Sequence, residues 1–190
     1  FHAEKEALKV AGNYARGASL HVTLEPCSHS GRTSPCVDSI IEAGISEVHA
    51  SIIDPDSRVN GRGVEQLRAA GIKVYLGELA DDSSKRMQAH IKLMKTGLPF
   101  VTVKFAASLD GKIATSTGES QWITGTEARD IVHRMRGETD AIMVGIGTVL
   151  ADNPRLTARG EYSPTTGRQP VRVVVDSNCR TPLDSALLFG

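Results

Sequence analysis

Thr23-Leu24-Glu25-Pro26-Cys27-Ser28-His29-Ser30-Gly31-Arg32-Thr33-Ser34-Pro35-Cys36 is the stretch on which the reading of this chain turns. An apolar run ends in Glu25-Pro26-Cys27, eight residues follow, and Cys36 then begins a helical period. The pattern predicts a strand over Leu20 to Leu24 and a helix over Cys36 to Ala43. Pro35 suits the first turn of that helix, where its missing N–H is no loss, and Ser34 is the expected cap. A helix N-terminus also lowers the pKa of a thiol it carries, which favours metal binding by Cys36. Upstream, His2-Ala3-Glu4 opens another helical pattern, with Ala3, Ala7, Val10, Ala11 and Tyr14 recurring at three and four. His2, Cys27 and Cys36 thus offer one imidazole and two thiolates, and Glu4 adds a carboxylate that need not be a ligand. Zinc takes N and S donors, and three protein ligands leave a fourth position for water, whose proton the spare carboxylate can shuttle. The alternative is a pair of buried core thiols beside an unrelated His-x-Glu.

Around this stretch lie 190 residues with 22 basic and 22 acidic side chains and 40% hydrophobic content, an ordinary globular composition with material for one or two cores. A net charge of zero gives no long-range attraction for a phosphate backbone, so nucleic acid is not an expected partner and any anionic ligand must be held by local Arg and Lys clusters. No run approaches the roughly 18 apolar residues of a membrane span, and Phe1-His2-Ala3-Glu4-Lys5-Glu6 lacks the order of a signal peptide, which points to a cytoplasmic setting without membrane partners. Three cysteines are too few and odd in number for a disulfide framework. Cys179, after a strand, reads as incidental, and His21 as an ordinary strand-face histidine. His29 lies inside the loop between the cysteines beside Arg32, where it either reaches a substrate, supports a metal ligand or stands solvated.

Further strands are expected at Glu47 to Ile53, Lys73 to Leu76, Val101 to Ala106, Ala141 to Val144 and Val171 to Val175, and helices at Gly63 to Ala70, Asp82 to Lys95 and Thr126 to Arg136. Their alternation predicts an α/β fold with parallel strands covered by crossover helices. Asp81-Asp82-Ser83-Ser84 is the expected cap of the helix over Asp82 to Lys95, and Thr96-Gly97-Leu98-Pro99 ends it, so a domain boundary is placed between residues 97 and 98. Gly145-Ile146-Gly147-Thr148, after a strand, reads as a turn whose amides can approach a phosphate, but by itself more readily as a structural strand-to-helix turn, since the full dinucleotide fingerprint is absent. Trp122 by itself reads as a core anchor and Arg136 as a solvated helix residue.

A His-x-Glu followed by Pro-Cys and a second Cys is the pattern of zinc deaminases, here with the inter-cysteine segment expanded into a loop. The long string quoted above, with Asp54-Pro55-Asp56 and Gly61-Arg62-Gly63, closely resembles the bifunctional riboflavin-biosynthesis pyrimidine deaminase/reductase family. So do Lys104-Phe105-Ala106-Ala107-Ser108-Leu109-Asp110-Gly111-Lys112, Gly118-Glu119-Ser120-Gln121-Trp122-Ile123-Thr124 and Val149-Leu150-Ala151-Asp152-Asn153-Pro154-Arg155-Leu156-Thr157. The resemblance implies a three-layer α/β/α cytidine-deaminase-like domain over residues 1–97 and a dihydrofolate-reductase-like α/β domain over residues 98–190. Because the chain starts inside a helical pattern and stops soon after Val175, both are expected to be truncated.

The resemblance also implies roles. His2, Cys27 and Cys36 would bind Zn2+, and Glu4 would carry a proton from the attacking water to the leaving amine of a phosphorylated pyrimidine, with His29, Arg32 and Asp54 holding that substrate. In the second half NADPH would contact Ala106, Trp122, Thr148, Asp152 and Ser177, while Ser120, Arg136, Leu156 and Arg159, with Lys104, would hold the substrate as a ribosyl ring is reduced to a ribityl chain. Hydride transfer demands positioning rather than a protein nucleophile. Rival readings are a zinc deaminase of nucleic acid or a free nucleoside, a non-catalytic binding module, and a domain whose zinc serves only folding. A homo-oligomer is compatible with the sequence.

Overall fold

Strand β1, Ser19–Leu24, turns Leu20, Val22 and Leu24 to one face and His21 and Thr23 to the other, the period of two that a pleat imposes. In the computed structural model, which describes residues 2–30, 34–164 and 167–189, it is the first strand of a parallel sheet. β2, Glu47–Ile52, pairs with β1 in the register Leu20↔Val48 and His21↔His49, and β3, Lys73–Leu76, follows in the register Val48↔Val74 and His49↔Tyr75. The chain packs as two compact units, Phe1–Val103 and Lys104–Gly190, and this sheet belongs to the first.

Helices α1 (Ala3–Ala11), α2 (Cys36–Glu42) and α3 (Arg62–Ala69) cover one face of it. Their core joins Val37, Ile40, Val48 and Leu67, all essentially inaccessible, with Leu8, Ala11, Leu20, Val22 and Val74 at its margin. Helix α1 therefore packs through the stripe Glu4, Leu8 and Ala11, whereas Val10 and Tyr14 stand 88% and 92% exposed, contrary to the apolar face expected for them. Spacing at three and four admits more than one stripe on a short helix, and contact with the sheet selects among them. α4, Ala80–Arg86, packs over the opposite face, where Thr23 points.

The helix expected over 82–95 is instead two, α4 and α5 (Gln88–Thr96), broken at Met87. The start also lies earlier than the expected Asp81 to Ser84 cap: Leu79, in a left-handed conformation, precedes Ala80, and Asp81 and Asp82 fall in the first turn, where their charge complements the helix dipole. Gly97, with φ of 68°, closes α5 as expected.

In the second unit α6, Thr126–Gly137, precedes β4, Ala141–Gly145, which pairs in parallel with β5, Val171–Val175. Between them helix α7, Ile146–Asp152, begins at Gly145 as a strand-to-helix turn requires, and buries Ile146 and Val149 against Val144, Val174 and Leu187. The strand expected at Val101 to Ala106 is absent: no ladder forms there among the described residues, and Val101, Val103 and Phe105 stand exposed. Alternating apolar residues mark a segment able to pair, but a strand exists only where a neighbour takes its amides and carbonyls. Among the described residues no helix is long and apolar enough to cross a membrane.

Candidate metal centre and cofactor-facing residues

Three elements bring the metal donors together: His2 at the start of α1, Cys27 three residues after β1, and Cys36 as the first residue of α2. His2 Nδ1 lies 3.5 Å from Cys27 Sγ and 3.2 Å from Cys36 Sγ, and the three donor atoms are all within 4.8 Å of one another. Such separations fit one small tetrahedral cation with bonds of about 2.0–2.3 Å. The N and S donors are those zinc prefers, and among the described residues no fourth protein donor joins them, which leaves a coordination position open.

The local sequence explains the placement. Cys27 caps α2: its sulfur accepts the Cys36 N–H at 3.2 Å, and its carbonyl accepts the Val37 N–H at 3.3 Å. Pro35 is consequently the cap residue and not the first helical one, and the expected Ser34 cap is not made. Ser34 is engaged elsewhere, because Lys5 Nζ donates to its carbonyl at 2.5 Å and its hydroxyl at 2.7 Å, tying α1 to the loop before α2. Lys5 was not singled out by the sequence, since a lone lysine in a polar helix carries no signal.

Burial pushes the Cys36 thiol up, and the charges of Glu4 and Cys27 add to the effect, while Lys5 opposes it. The lowering expected from the helix N-terminus is thus outweighed by desolvation and by neighbouring negative charge. Glu4 is half-buried on the inward stripe of α1, and its charge acts on the Cys36 thiol. A cation among the three donors is what would keep both sulfurs ionised.

A second device, invisible in the sequence, fixes Cys27. The Glu25 carboxylate is only 2% exposed and accepts four backbone amides. Oε1 takes Gly63 at 2.8 Å and Val64 at 3.2 Å; Oε2 takes Gly61 at 2.8 Å and Asp54 at 3.1 Å. Glu25 thereby serves as a cap reaching from the sheet to the free amides at the start of α3. Gly63 is required there, because a Cβ would lie 2.2 Å from the Pro26 carbonyl oxygen.

Asp54, buried at 8% exposure, follows β2, and its Oδ1 accepts the Asp56 N–H at 2.9 Å. His90 Nε2 of α5 lies 3.6 Å from the same oxygen. His29 acts electrostatically on Asp56, whose carboxyl is held well below the usual carboxylate range chiefly by its hydrogen bonds with Arg58. His29 Nδ1 and His90 Nε2 are both buried without a hydrogen-bond partner among the described residues. The structure thus adds His90, which sequence reasoning missed, to the neighbourhood of Asp54. Arg32 lies outside the described residues.

In the second unit, Thr148 and Ser177 follow the C-terminal ends of the paired strands β4 and β5, whose last residues, Gly145 and Val175, are in register. That end of a parallel sheet is where α/β folds take ligands. A Cβ at Gly145 or Gly147 would meet nothing within 4 Å, so the backbone of this turn is open to approach. Trp122 is 70% exposed, not the core anchor its residue type suggests, and the Arg129 guanidinium lies 4.4 Å from its ring centroid. Ala106 is half-buried and Asp152 exposed at the far end of α7, and among the described residues no hydrogen bond joins either to Thr148 or Ser177.

Arg136 is half-buried rather than solvated; its Nη1 donates to the Thr157 carbonyl at 3.3 Å, and Arg159 Nε donates to Thr157 Oγ1 at 3.0 Å. Burial and the charge of Arg159 pull the Arg136 guanidinium below its ordinary value, and burial with both arginine charges lowers His133. Two guanidiniums and an imidazole therefore share one neighbourhood, and no carboxylate ion pair to Arg136 or Arg159 forms among the described residues. Leu156 is buried beside them in the chain with φ of 55°, Ser120 is half-buried and Lys104 exposed.

The family description "Cytidine and deoxycytidylate deaminase zinc-binding region" matches residues 1–52, and "RibD C-terminal domain" matches residues 99–190. The chain is 45% identical over 192 residues to riboflavin biosynthesis protein RibD of Escherichia coli, covering 96% of this chain and 52% of that protein. It is 44% identical over 187 residues to RibD of Aquifex aeolicus, covering 98% and 52%. Among solved structures, Acinetobacter baumannii RibD superposes with a TM-score of 0.91 at 43% identity over 99% of this chain and 53% of that one. A diaminohydroxyphosphoribosylaminopyrimidine deaminase/5-amino-6-(5-phosphoribosylamino)uracil reductase from Thermotoga maritima superposes with a TM-score of 0.84 at 46% identity, covering 93% and 50%. The chain spans about half the length of these relatives. Its two units share their folds, a cytidine-deaminase-like domain followed by a dihydrofolate-reductase-like one.

Proposed function

Because the chain belongs to the RibD family of riboflavin-biosynthesis proteins, we propose that it carries two successive activities of that pathway. Residues 1–97 deaminate 2,5-diamino-6-(5-phosphoribosylamino)pyrimidin-4(3H)-one hydrolytically, and residues 98–190 reduce the ribosyl group of the product to ribityl with NADPH. The observation that carries the reading is the convergence of the His2, Cys27 and Cys36 donor atoms within 4.8 Å of one another.

Zinc, when bound by these three donors, supplies the Lewis acidity that lets water ionise near neutral pH. Glu4 takes the proton of the attacking water and returns it to the departing amine, which leaves as ammonia. Lys5, clasped to Ser34, holds the helix that carries Glu4 against the loop before Cys36, and Glu25 holds the Cys27 segment against α3. Asp54, His29 and Arg32 orient the pyrimidine.

For the reduction, NADPH supplies the hydride, with Thr148 and Ser177 at the strand ends and Trp122, Ala106 and Asp152 as further contacts. The open backbone at Gly145 and Gly147 supports this assignment, since a phosphate needs close approach to amides. Arg136 and Arg159 clamp the sugar phosphate; Ser120, Leu156 and Lys104 complete the substrate contacts. The substrates are small and anionic, which suits a cytoplasmic enzyme without nucleic-acid or membrane partners.

The test compares wild type with Glu4→Gln and Cys27→Ser, measuring zinc content and ammonia release from the diaminopyrimidine ribosyl phosphate. Glu4→Gln is expected to retain zinc at the His2, Cys27 and Cys36 site and lose deamination, since an amide of the same shape cannot shuttle a proton; Cys27→Ser is expected to lose that zinc. Undiminished turnover in Glu4→Gln would remove the proposed base.

A further inference from the structure

The sheet carries a second convergence of metal-binding side chains on the face opposite the cysteines. We propose that His21, His49 and Glu78 form a second divalent transition-metal site of zinc type, independent of the centre at His2, Cys27 and Cys36. Among the described residues these are the only two groups of three such donors whose ligand atoms lie within 4.8 Å of one another.

The site is built by strand register. His21 and His49 occupy paired positions on the adjacent parallel strands β1 and β2, so their side chains leave the sheet on one face and at one level. Their rings stack with centroids 4.4 Å apart and planes inclined by 17°. Tyr75, the partner of His49 on β3, stacks on His49 with centroids 4.7 Å apart; because an imidazole lone pair lies in the ring plane, binding one ion turns the histidine rings out of this stack until their nitrogens converge. Immediately after β3 the chain turns at Gly77, whose φ of 99° suits glycine and whose N–H still donates to the Ala50 carbonyl at 3.2 Å. That turn returns Glu78 to the histidines, with Oε2 3.2 Å from His49 Nδ1 and 3.7 Å from His21 Nδ1.

One carboxylate oxygen thus faces two ring nitrogens of the same kind. A neutral imidazole carries its proton on only one nitrogen. If that proton is on Nε2, the Nδ1 lone pair points at an anion, an arrangement relieved by a proton or by a cation between them. Separations of 3.2 and 3.7 Å bracket the distance between neighbouring ligands of a zinc ion with bonds of about 2.0–2.2 Å. Two imidazoles and a carboxylate are a familiar zinc donor set, and they leave solvent to complete the coordination. His49 is 24% exposed, whereas His21 and Glu78 are 62% and 58% exposed, so the ion reaches the site from solvent and binds more weakly than at the buried thiolates.

The experiment is a metal titration of the 190-residue chain at pH 7.5 by equilibrium dialysis against zinc, repeated with cobalt and read by absorbance. The expected result is about two zinc ions per chain. The cysteine site alone gives thiolate-to-cobalt charge-transfer absorption, and the second cobalt adds none. Cys27→Ser should lose that absorption and keep one zinc, whereas His49→Ala and Glu78→Gln should keep the absorption and lose the weaker zinc. Glu78→Gln changes an exposed side chain and decides the matter should His49→Ala perturb the fold. Saturation of the wild type at a single zinc that disappears with Cys27→Ser, or a second zinc untouched by Glu78→Gln, would overturn the proposal. Because each site has its own variants, failure here leaves the reading of the cysteine centre standing, and the reverse.

Discussion

Replacing Glu25 with glutamine removes one acceptor and almost no volume, so it isolates what the buried carboxylate contributes. Each oxygen accepts two backbone amides, and glutamine has a single carbonyl oxygen, so two of the four amides must lose their partner and face an NH2 group instead. The less damaging orientation keeps the carbonyl on Gly63 and Val64, whose bonds are both buried, and abandons Asp54 and Gly61, of which the Gly61 bond is only part-buried. An unpaired buried donor costs about 1–3 kcal/mol, so the substitution should cost about 2–4 kcal/mol in all. At about 1.4 kcal/mol per factor of ten, this is roughly a thirty- to thousand-fold change in local opening.

Amide hydrogen exchange reads that change directly, without interference from the second unit. Asp54 and Gly61 should exchange faster by that factor, Gly63 and Val64 by less, and amides of β4 and β5 should be unaltered. Zinc affinity at the cysteine site should fall with it, because the Cys27 segment is anchored through Glu25. Exchange within threefold of wild type at all four amides would show that water or backbone movement replaces the carboxylate, and the argument that Glu25 holds the loop would fail.

Gly63→Ala should destabilise the first unit by about 2–3 kcal/mol, since its Cβ must displace the Pro26 carbonyl from 2.2 Å; a denaturation midpoint for the first unit equal to wild type would contradict the contact. Lys5→Met should loosen α1 from Ser34 and reduce zinc affinity at the cysteine site by several-fold, measured by competition with a chelator. His133 has its pKa lowered by burial and by Arg136 and Arg159, so the unfolded state takes up its proton first as pH falls below about 6.5; stability of the second unit should therefore drop from that value towards the folded pKa. Urea unfolding followed by Trp122 fluorescence at pH 7.5 and 5.5 should show a drop in wild type that His133→Gln diminishes. Arg136→Met should weaken inorganic phosphate binding to the second unit and raise the His133 pKa, which NMR titration records.

Much of the fold was legible because its signals are local. The strands β1, β2, β3, β4 and β5 lie within one or two residues of the expected apolar runs, and Gly97 ends α5 where glycine is needed. What failed was anything decided by partners distant in the chain. The run Val101 to Ala106 has the composition of a strand but no paired neighbour among the described residues, and α1 turns Leu8 inward where Val10 and Tyr14 carry more apolar surface. Likewise Ser34 has the chemistry of a helix cap, but Lys5, 29 residues away, engages it while Cys27 supplies the cap.

The same distinction governs the site. His2, Cys27 and Cys36 were legible as candidate metal donors because such residue types are rare and their chemistry survives ignorance of the fold, and Glu4 as a candidate base only through its place in the His-x-Glu pattern. Glu25 and Lys5 were not, although each holds a segment carrying a candidate donor in place, because glutamate and lysine are common and their roles exist only once strand, loop and helix meet. Arg136 shows the converse: read as a helix-face residue, it becomes a candidate anion clamp because Thr157 and Arg159, more than twenty positions on, stand beside it and no carboxylate pairs with either guanidinium among the described residues. The candidate donors and the candidate base are therefore what a single sequence announces. Those that position them are found by asking where each buried charge sends its hydrogen bonds, and in this chain that question leads from Cys27 through Glu25 to the start of α3.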